Sequence, residues 1–384
     1  MTLGTPASLN ARTGSPPRPG FLIWTGVATA ILGALTAFHY HRLGLTLSHY
    51  DSRGHLIVAR RIVDSITPGW QQIGAVWLPL PHLLNAIPVQ VDVFYRTGVS
   101  AVAISIVCFA VASYAIARMV FSLTGSAAAA LVGAAVFALN PNVLYLQSTP
   151  MTEPLLLALT TLGVALLIDR SASRVVDEAS HRAGGPGGGD APRIEEPYLG
   201  GILALACLTR YEAWPVVFTA IAGLLWARWR RGEPLARAVR ESARLAVYPA
   251  TAIVGFSIFS RIVIGQWFVS GGFFVPENKS LGDLLLSLEE IAWGTRELSG
   301  SFLTALGALG VSALIITGLT MRRRAERLIA TALLTDALIP WAAFFKGHPF
   351  RIRYMVPLVA MEAVGAGVLV GLTGKVGKLA GVVS

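Results

Sequence analysis

The sequence predicts an all-α polytopic membrane protein that crosses the bilayer about ten times. Three observations carry that expectation. Of 384 residues, 54% are hydrophobic and only 14% are charged, whereas a soluble domain carries about 25% charged residues. Apolar stretches of roughly 18 residues or more recur along the chain, enough for a helix to cross about 30 Å of hydrocarbon. The period-2 alternation of an outer-membrane barrel is absent. Inside hydrocarbon each backbone N–H and C=O must be satisfied within its own segment, so the spans are helices.

Residues 1–20 are rich in Pro, Gly, Ser and Thr, carry Arg12 and Arg18, and read as a disordered cytoplasmic tail. A single membrane domain follows over 21–384. Its first span, 21–44, is too long for a signal-peptide core. It runs into Phe38-His39-Tyr40-His41-Arg42 rather than a small-residue cleavage site, which marks a retained anchor. Further spans are expected at 95–121, 127–146, 154–168, 198–210, 214–228, 245–264, 301–320, 328–345 and 355–373. An even number of spans puts both termini on one side. That side also receives Arg118, segment 169–197, the arginines of 228–244, Arg322-Arg323-Arg324 with Arg327, and Lys375 with Lys378. These are a clear majority of the 31 lysines and arginines, so the face is cytoplasmic and the protein belongs in the plasma membrane.

The net charge of +10 is explained by short loops set against lipid headgroups, which argues against nucleic acid as a partner. Cys108 and Cys207 both lie in apolar spans and carry no metal signature. Segment 171–197 contains the glycine-rich run 184–189 and reads as a flexible cytoplasmic linker. A phosphate-cradling loop would need a preceding strand and a following Gly-Lys-Ser/Thr.

The opposite face carries loops 45–94, 147–153, 265–300 and 346–354. In the first, Leu56, Ala59, Ile62, Val63 and Ile66 recur at helical spacing, the pattern of a helix lying in the headgroup plane. Pro68-Gly69 ends it, and Trp70 and Trp77 supply indole anchors. In the third loop Ser280 and Asp283 have capping-box spacing ahead of an apolar stripe of Leu284, Leu285, Leu288 and Ile291. Asn278-Lys279-Ser280 is an N-glycosylation sequon.

The reactive-looking residues fall on this same face. Asp51 stands in His49-Tyr50-Asp51-Ser52-Arg53-Gly54-His55, where it could deprotonate an acceptor hydroxyl or cap the helix that follows. Glu153, in Thr149-Pro150-Met151-Thr152-Glu153-Pro154, either acts in a site or steadies a helix dipole. Arg210 and Glu212, in Thr209-Arg210-Tyr211-Glu212, are ionisable groups flanked by apolar runs, which are functional or paired with each other. Lys346, His348, Arg351, Arg353 and Tyr354 close the last loop. So much positive charge on this face fits a phosphate-bearing ligand, or side chains snorkelling to headgroups. Within spans, Asp336 and Glu362 are expected to partner buried donors. His49, His55, His82 and His348 lack the spacing of a zinc site. A divalent cation between Asp51 and Glu153 is the one metal arrangement the pattern leaves room for.

An Asp after the first span, an interfacial helix in the first outer loop, and Thr-Glu-Pro after the third span resemble the GT-C glycosyltransferases. The likeness is to bacterial members related to protein O-mannosyltransferases and aminoarabinose transferases. It is carried by segment 50–84, Met151-Thr152-Glu153-Pro154-Leu155 and Arg210-Tyr211-Glu212. The resemblance implies a polyprenyl-phosphate sugar donor and a glycan, lipid or protein acceptor outside the cytoplasm. Asp51 would be the general base and Glu153 would assist acceptor or ion binding. Arg351, Arg353 and Lys346 would hold the phosphate leaving group, with His55, Arg210, Tyr211, Glu212, His348 and Tyr354 lining the substrate. No Asp-x-Asp or Asp-Glu pair stands in the first loop, which leaves metal dependence open. The competing expectations are a transporter or lipid flippase, for which Asp336 and Glu362 would be the intramembrane groups, and a noncatalytic scaffold.

Overall fold

The computed structural model describes residues 19–182, 196–268 and 275–383. The described residues are helical, and no strand occurs among them. Residues 1–18 of the expected tail 1–20 and the glycines of 184–189 lie outside them, while Pro19 and Gly20 already belong to the first helix.

A long first helix, α1 (Pro19–Arg42), leads to α2 (Tyr50–Arg61) and two short helices, α3 (Leu80–Asn85) and α4 (Asp92–Thr97). Next come α5 (Val99–Thr124), α6 (Ala127–Ala138), α7 (Pro141–Leu146) and α8 (Glu153–Arg182). The middle of the chain forms α9 (Glu196–Cys207), α10 (Ala213–Arg230) and α11 (Leu235–Ile264). The last part forms α12 (Leu284–Ser299), α13 (Ser301–Thr320), α14 (Arg327–Ala330), α15 (Leu338–Phe345) and α16 (Val356–Val383).

Among the described residues seven helical stretches are long and apolar enough to cross a membrane. They are Gly20–Arg42, Val99–Thr124, Glu153–Ala172, Leu235–Ile264, Ser301–Thr320, Arg327–Phe345 and Ile352–Gly374. The expected spans 127–146 and 198–210 instead contain the 12-residue helices α6 and α9. Asn140 with Pro141 interrupts the former, the Asn side chain capping α7 through the backbone N–H groups of Asn142 and Val143. A linker beginning at 171 is also corrected, because α8 continues unbroken to Arg182.

Span 327–345 is helical but broken. Residues Thr331–Ala337 form a 3-10 helix between α14 and α15. Pro340 supplies the reason: it cannot donate to the carbonyl four residues back, at Asp336, and its ring crowds that carbonyl. The backbone tightens there, and the Thr335 and Thr219 hydroxyls meet at 3.0 Å.

Burial sorts the helices. α16 is the most enclosed of the seven spans, with 83% of its apolar stretch buried against 17% for α11. The core joins Phe109, Ile116 and Met119 of α5, Phe137 of α6, Leu156 and Leu167 of α8, and Val359 and Val364 of α16. On the outside Leu35, Phe218, Ile262 and Phe302 are exposed, as side chains facing lipid would be. The stripe of α12 is mostly turned out as well: Ile291 is buried but Leu284, Leu285 and Leu288 are exposed. Its capping box does not form. Asp283 is itself the N-cap, accepting from Leu285 and Leu286, while the Ser280 hydroxyl donates to Asn278 Oδ1. Asn278 in turn donates through Nδ2 to the carbonyl of His348 at 2.6 Å.

Small residues set how closely α13 and α16 approach. A Cβ added to Gly310 would overlap the Gly365 carbonyl, and one on Gly307 would lie 2.8 Å from Cα of Glu362. Where lipid offers no hydrophobic drive between helices, such backbone contact is a main source of association. We expect Gly310→Val to destabilise the fold by about 1–3 kcal/mol, read as a lower thermal unfolding midpoint in detergent. Leu309→Ala, at an exposed position on the same helix, should leave the midpoint nearly unchanged. An unchanged midpoint for Gly310→Val would rule out this contact.

Candidate active site

Four chain segments converge at one end of the bundle: the start of α2, the start of α8, the α9–α10 turn and the loop ahead of α16. The helix start comes first. Residue His49 is the N-cap of α2, its Nδ1 accepting from the Asp51 N–H at 3.2 Å. The carboxylate of Asp51 is therefore not the cap. It turns away from the helix and ion-pairs with Arg353 Nη2, 302 residues later.

Arg353 is shared. Its Nη1 donates to Glu153 Oε1 at 2.9 Å, and the same oxygen accepts from Arg210 Nη1 at 3.2 Å. Arg210 continues the chain of contacts, placing Nη2 2.6 Å from Glu212 Oε1 and giving a further hydrogen bond to Thr152 Oγ1 at 3.0 Å. The result is an alternating ladder, Asp51–Arg353–Glu153–Arg210–Glu212. Both readings of Arg210 and Glu212 hold: they pair with each other, and the pair is part of a larger cluster. Glu153 begins α8 and is fully buried, so its carboxylate cannot rely on water for compensation. Tyr354 covers the ladder, with the Arg353 guanidinium 5.0 Å and the Arg210 guanidinium 5.8 Å from its ring centre. Both distances are within cation–π range.

Three carboxylates against two guanidiniums leave this cluster one negative charge in excess. Lys346 and Arg351 stand nearby in the chain as exposed cations. His348 is half-buried, its ring 5.5 Å from that of Tyr354 and its Nδ1 2.8 Å from the Pro349 carbonyl. Tyr211 departs from the expected lining. Its hydroxyl donates to the Ala75 carbonyl at 2.9 Å and its ring packs on Trp214 and Phe256, which ties the segment between α2 and α3 to the α9–α10 turn. The Arg353 guanidinium stands between Asp51 and Glu153, the place the sequence left open for a divalent cation. Among the described residues no three His, Cys, Asp or Glu side chains gather as metal ligands. Of the intramembrane acids, Glu362 accepts from the Ser299 hydroxyl, but Oδ1 of buried Asp336 has no hydrogen-bond partner.

Sequence reasoning passed over a second feature. His55, one turn beyond Asp51, meets His82 with Nδ1 3.1 Å from Nε2. Residue His82 places its own Nδ1 3.1 Å from the Leu78 carbonyl. Trp77 packs against His55 with its ring tilted by 48° and 4.3 Å between ring centres, in space that Gly54 leaves open: a Cβ there would be 2.9 Å from the indole. Burial lowers the His82 pKa to about 4, the Leu78 carbonyl opposing. Burial first, then His82, Arg210 and Arg353, hold His55 well below its ordinary range. For His49 the shift is again downward, from burial and then Arg353. The sequence signal was available in Trp77-Leu78-Pro79-Leu80-Pro81-His82, a histidine in an apolar, proline-broken stretch.

No family model, no curated protein and no solved structure matches this chain. The site therefore rests on its own geometry.

Two outcomes test that geometry. Removing Arg353 strands Asp51 and Glu153, and breaking a buried pair in this way costs about 3–5 kcal/mol. We expect Arg353→Met to lower the unfolding midpoint sharply and Asp51→Asn to restore part of the loss in the double variant. Additive losses would mean the two side chains do not touch. The second outcome concerns pH. A histidine whose folded pKa lies below its unfolded value near 6.5 stabilises the fold above about pH 6.5. That contribution falls away as pH drops toward the folded value near 4. The full loss is on the order of 3 kcal/mol. Unfolding midpoints measured from pH 7 to 4 should fall in the native protein and fall less steeply in His82→Gln.

Proposed function

We propose that this protein is a GT-C-type membrane glycosyltransferase that moves a sugar from a polyprenyl-phosphate donor to an acceptor hydroxyl. In this reading the chain crosses the plasma membrane ten times, with α6, α9 and α10 completing the set. Both termini are cytoplasmic, the ladder faces outward, and α2 and α12 lie along the outer headgroups. The observation that carries the proposal is the meeting of Asp51 with Arg353 beside Glu153 and Arg210. A carboxylate able to take a proton and guanidiniums able to receive a phosphate share one buried cluster.

The chemistry follows from these groups. As the acceptor oxygen bonds to the anomeric carbon, its proton passes to the Asp51 carboxylate. The bond from that carbon to the phosphate oxygen breaks, and the electron pair leaves with the polyprenyl phosphate. Arg353, assisted by the exposed Arg351 and Lys346, stabilises the charge on that leaving group. A single displacement inverts the anomeric configuration. Arg353 also links donor to base. Asp51 is paired with Arg353, and a phosphate drawing Arg353 away would free that carboxylate. Glu153 and Glu212 keep Arg210 in place and are positioning residues here.

The alternative of a transporter draws on Asp336, buried in the broken span with Oδ1 unpartnered. Its weakness is that, apart from Glu362 within α16, the groups of the ladder cluster at helix ends rather than midway along spans.

Purified protein in lipid vesicles, supplied with a polyprenyl-phosphate hexose, should release polyprenyl phosphate. Asp51→Asn should reduce turnover by roughly 10²–10⁴-fold, with donor binding retained. Undiminished turnover would remove Asp51 as the base, and donor carried across the bilayer without cleavage would favour transport.

A further inference from the structure

The end of the bundle remote from the ladder carries charge of mostly one sign. α10 starts beside Glu212 and runs 18 residues to Arg230, so at 1.5 Å per residue its far end lies about 27 Å away. There the end of α10, the start of α11 and the turn from α13 to α14 come together. Segments 228–244 and 321–327 hold ten arginines and three glutamates, and all three acids are engaged. Glu233 and Glu241 flank buried Arg228 at 3.6 and 3.8 Å, Glu241 also meets Arg244 at 3.3 Å, and Glu326 pairs with Arg231.

Arginines clasp two helix ends here. Arg230 Nη2 donates to the Leu319 carbonyl in the last turn of α13 at 3.0 Å, and Arg322 Nε donates to the Arg230 carbonyl at the end of α10. Both contacts complement helix dipoles, yet they draw two like charges together. Arg327 is the sharper case. It begins α14 and is 4% exposed. Its Nη1 donates to the Thr317 hydroxyl at 2.7 Å, and its Nε is buried without a partner. The charged groups facing it are Arg324 and Glu326, and Glu326 is held by Arg231. Among the described residues Arg322, Arg323, Arg324 and Arg327 form no ion pair. A guanidinium taken out of water needs more than one hydroxyl to compensate it, so the turn calls for an anion.

The place of the turn selects the anion. The apolar stretch of α13 ends at Thr320 and the next begins at Arg327, which sets the turn at headgroup depth. Ile316, Leu319 and Met321, directly before it, are exposed and offer acyl chains an apolar surface. A phosphodiester anchored at that depth matches guanidinium forks, and the excess of arginines repels a headgroup that also carries an ammonium. We propose that the α13–α14 turn binds the phosphate of an anionic phospholipid. Arg324 and Arg327 are its nearest donors, Arg322 and Arg323 surround them, and the acyl chains lie along Ile316 and Leu319. The site is independent of sugar transfer.

The test heats the full chain in detergent micelles with phosphatidylglycerol, phosphatidylcholine or inorganic phosphate, at matched ionic strength. Phosphatidylglycerol alone should raise the unfolding midpoint, saturably and by a few degrees. Its apparent affinity should fall about tenfold in Arg327→Met, the loss of one charge-assisted contact. Without lipid that variant should unfold at or above the native midpoint, because an uncompensated charge is gone. Arg237→Gln, which removes the same charge from an exposed position on α11, should keep the native affinity. An equal rise with phosphatidylcholine or with free phosphate overturns the proposal, as do equal affinity losses in Arg327→Met and Arg237→Gln. So does a lipid-free midpoint that drops sharply in Arg327→Met, the sign of an acid elsewhere in the chain paired with it. Should Arg327→Met not fold, the double variant Arg323→Gln/Arg324→Gln, at exposed positions, decides by the same comparison of affinity with Arg237→Gln.

Discussion

A guanidinium held between two carboxylates organises one end of this helical bundle. Arg353 cannot sit in a mostly buried position without compensation, and Glu153 cannot be fully buried without a cation beside it. Each therefore requires the other. Asp51 and Arg210 extend the same necessity to α2 and the α9–α10 turn, so four segments distant in sequence are fixed by one set of charges. The close approach of α13 to α16 and the central burial of α16 matter to this cluster because they place the loop that carries Arg353.

The ladder carries a tension between stability and chemistry. Asp51 and Glu153 share one guanidinium, so whatever drew Arg353 away would leave both acids uncompensated. The histidine pair beside it has the opposite character: neutral, tied to a carbonyl, and presenting lone pairs rather than charge.

Much of this was legible in the sequence. Periodicity and length marked the apolar helices, and the long ones need only their own residues to satisfy the backbone. Arg210 and Glu212 could be singled out because ionised groups flanked by apolar runs demand compensation, Asp51 and Glu153 by their places at helix starts, and Arg353 as one of several cations in the last loop. What compensates them could not be read. No local pattern relates Asp51 to a partner 302 positions away, and Arg351 would have served equally well by residue type. The capping assignments at α2 and α12 failed for a related reason. Several polar residues near a helix start compete for the same N–H groups, and the winner depends on where the others are drawn.

The sequence by itself determined that the chain is helical and built for a bilayer, because composition and apolar length act through local backbone satisfaction. It also determined which residues would be costly to bury alone. Only the tertiary structure decided that Arg353 rather than Arg351 bridges the acids, that the Tyr211 hydroxyl goes to Ala75, and that His55 meets His82. Those outcomes depend on distances between remote segments, which close packing sets and residue order does not.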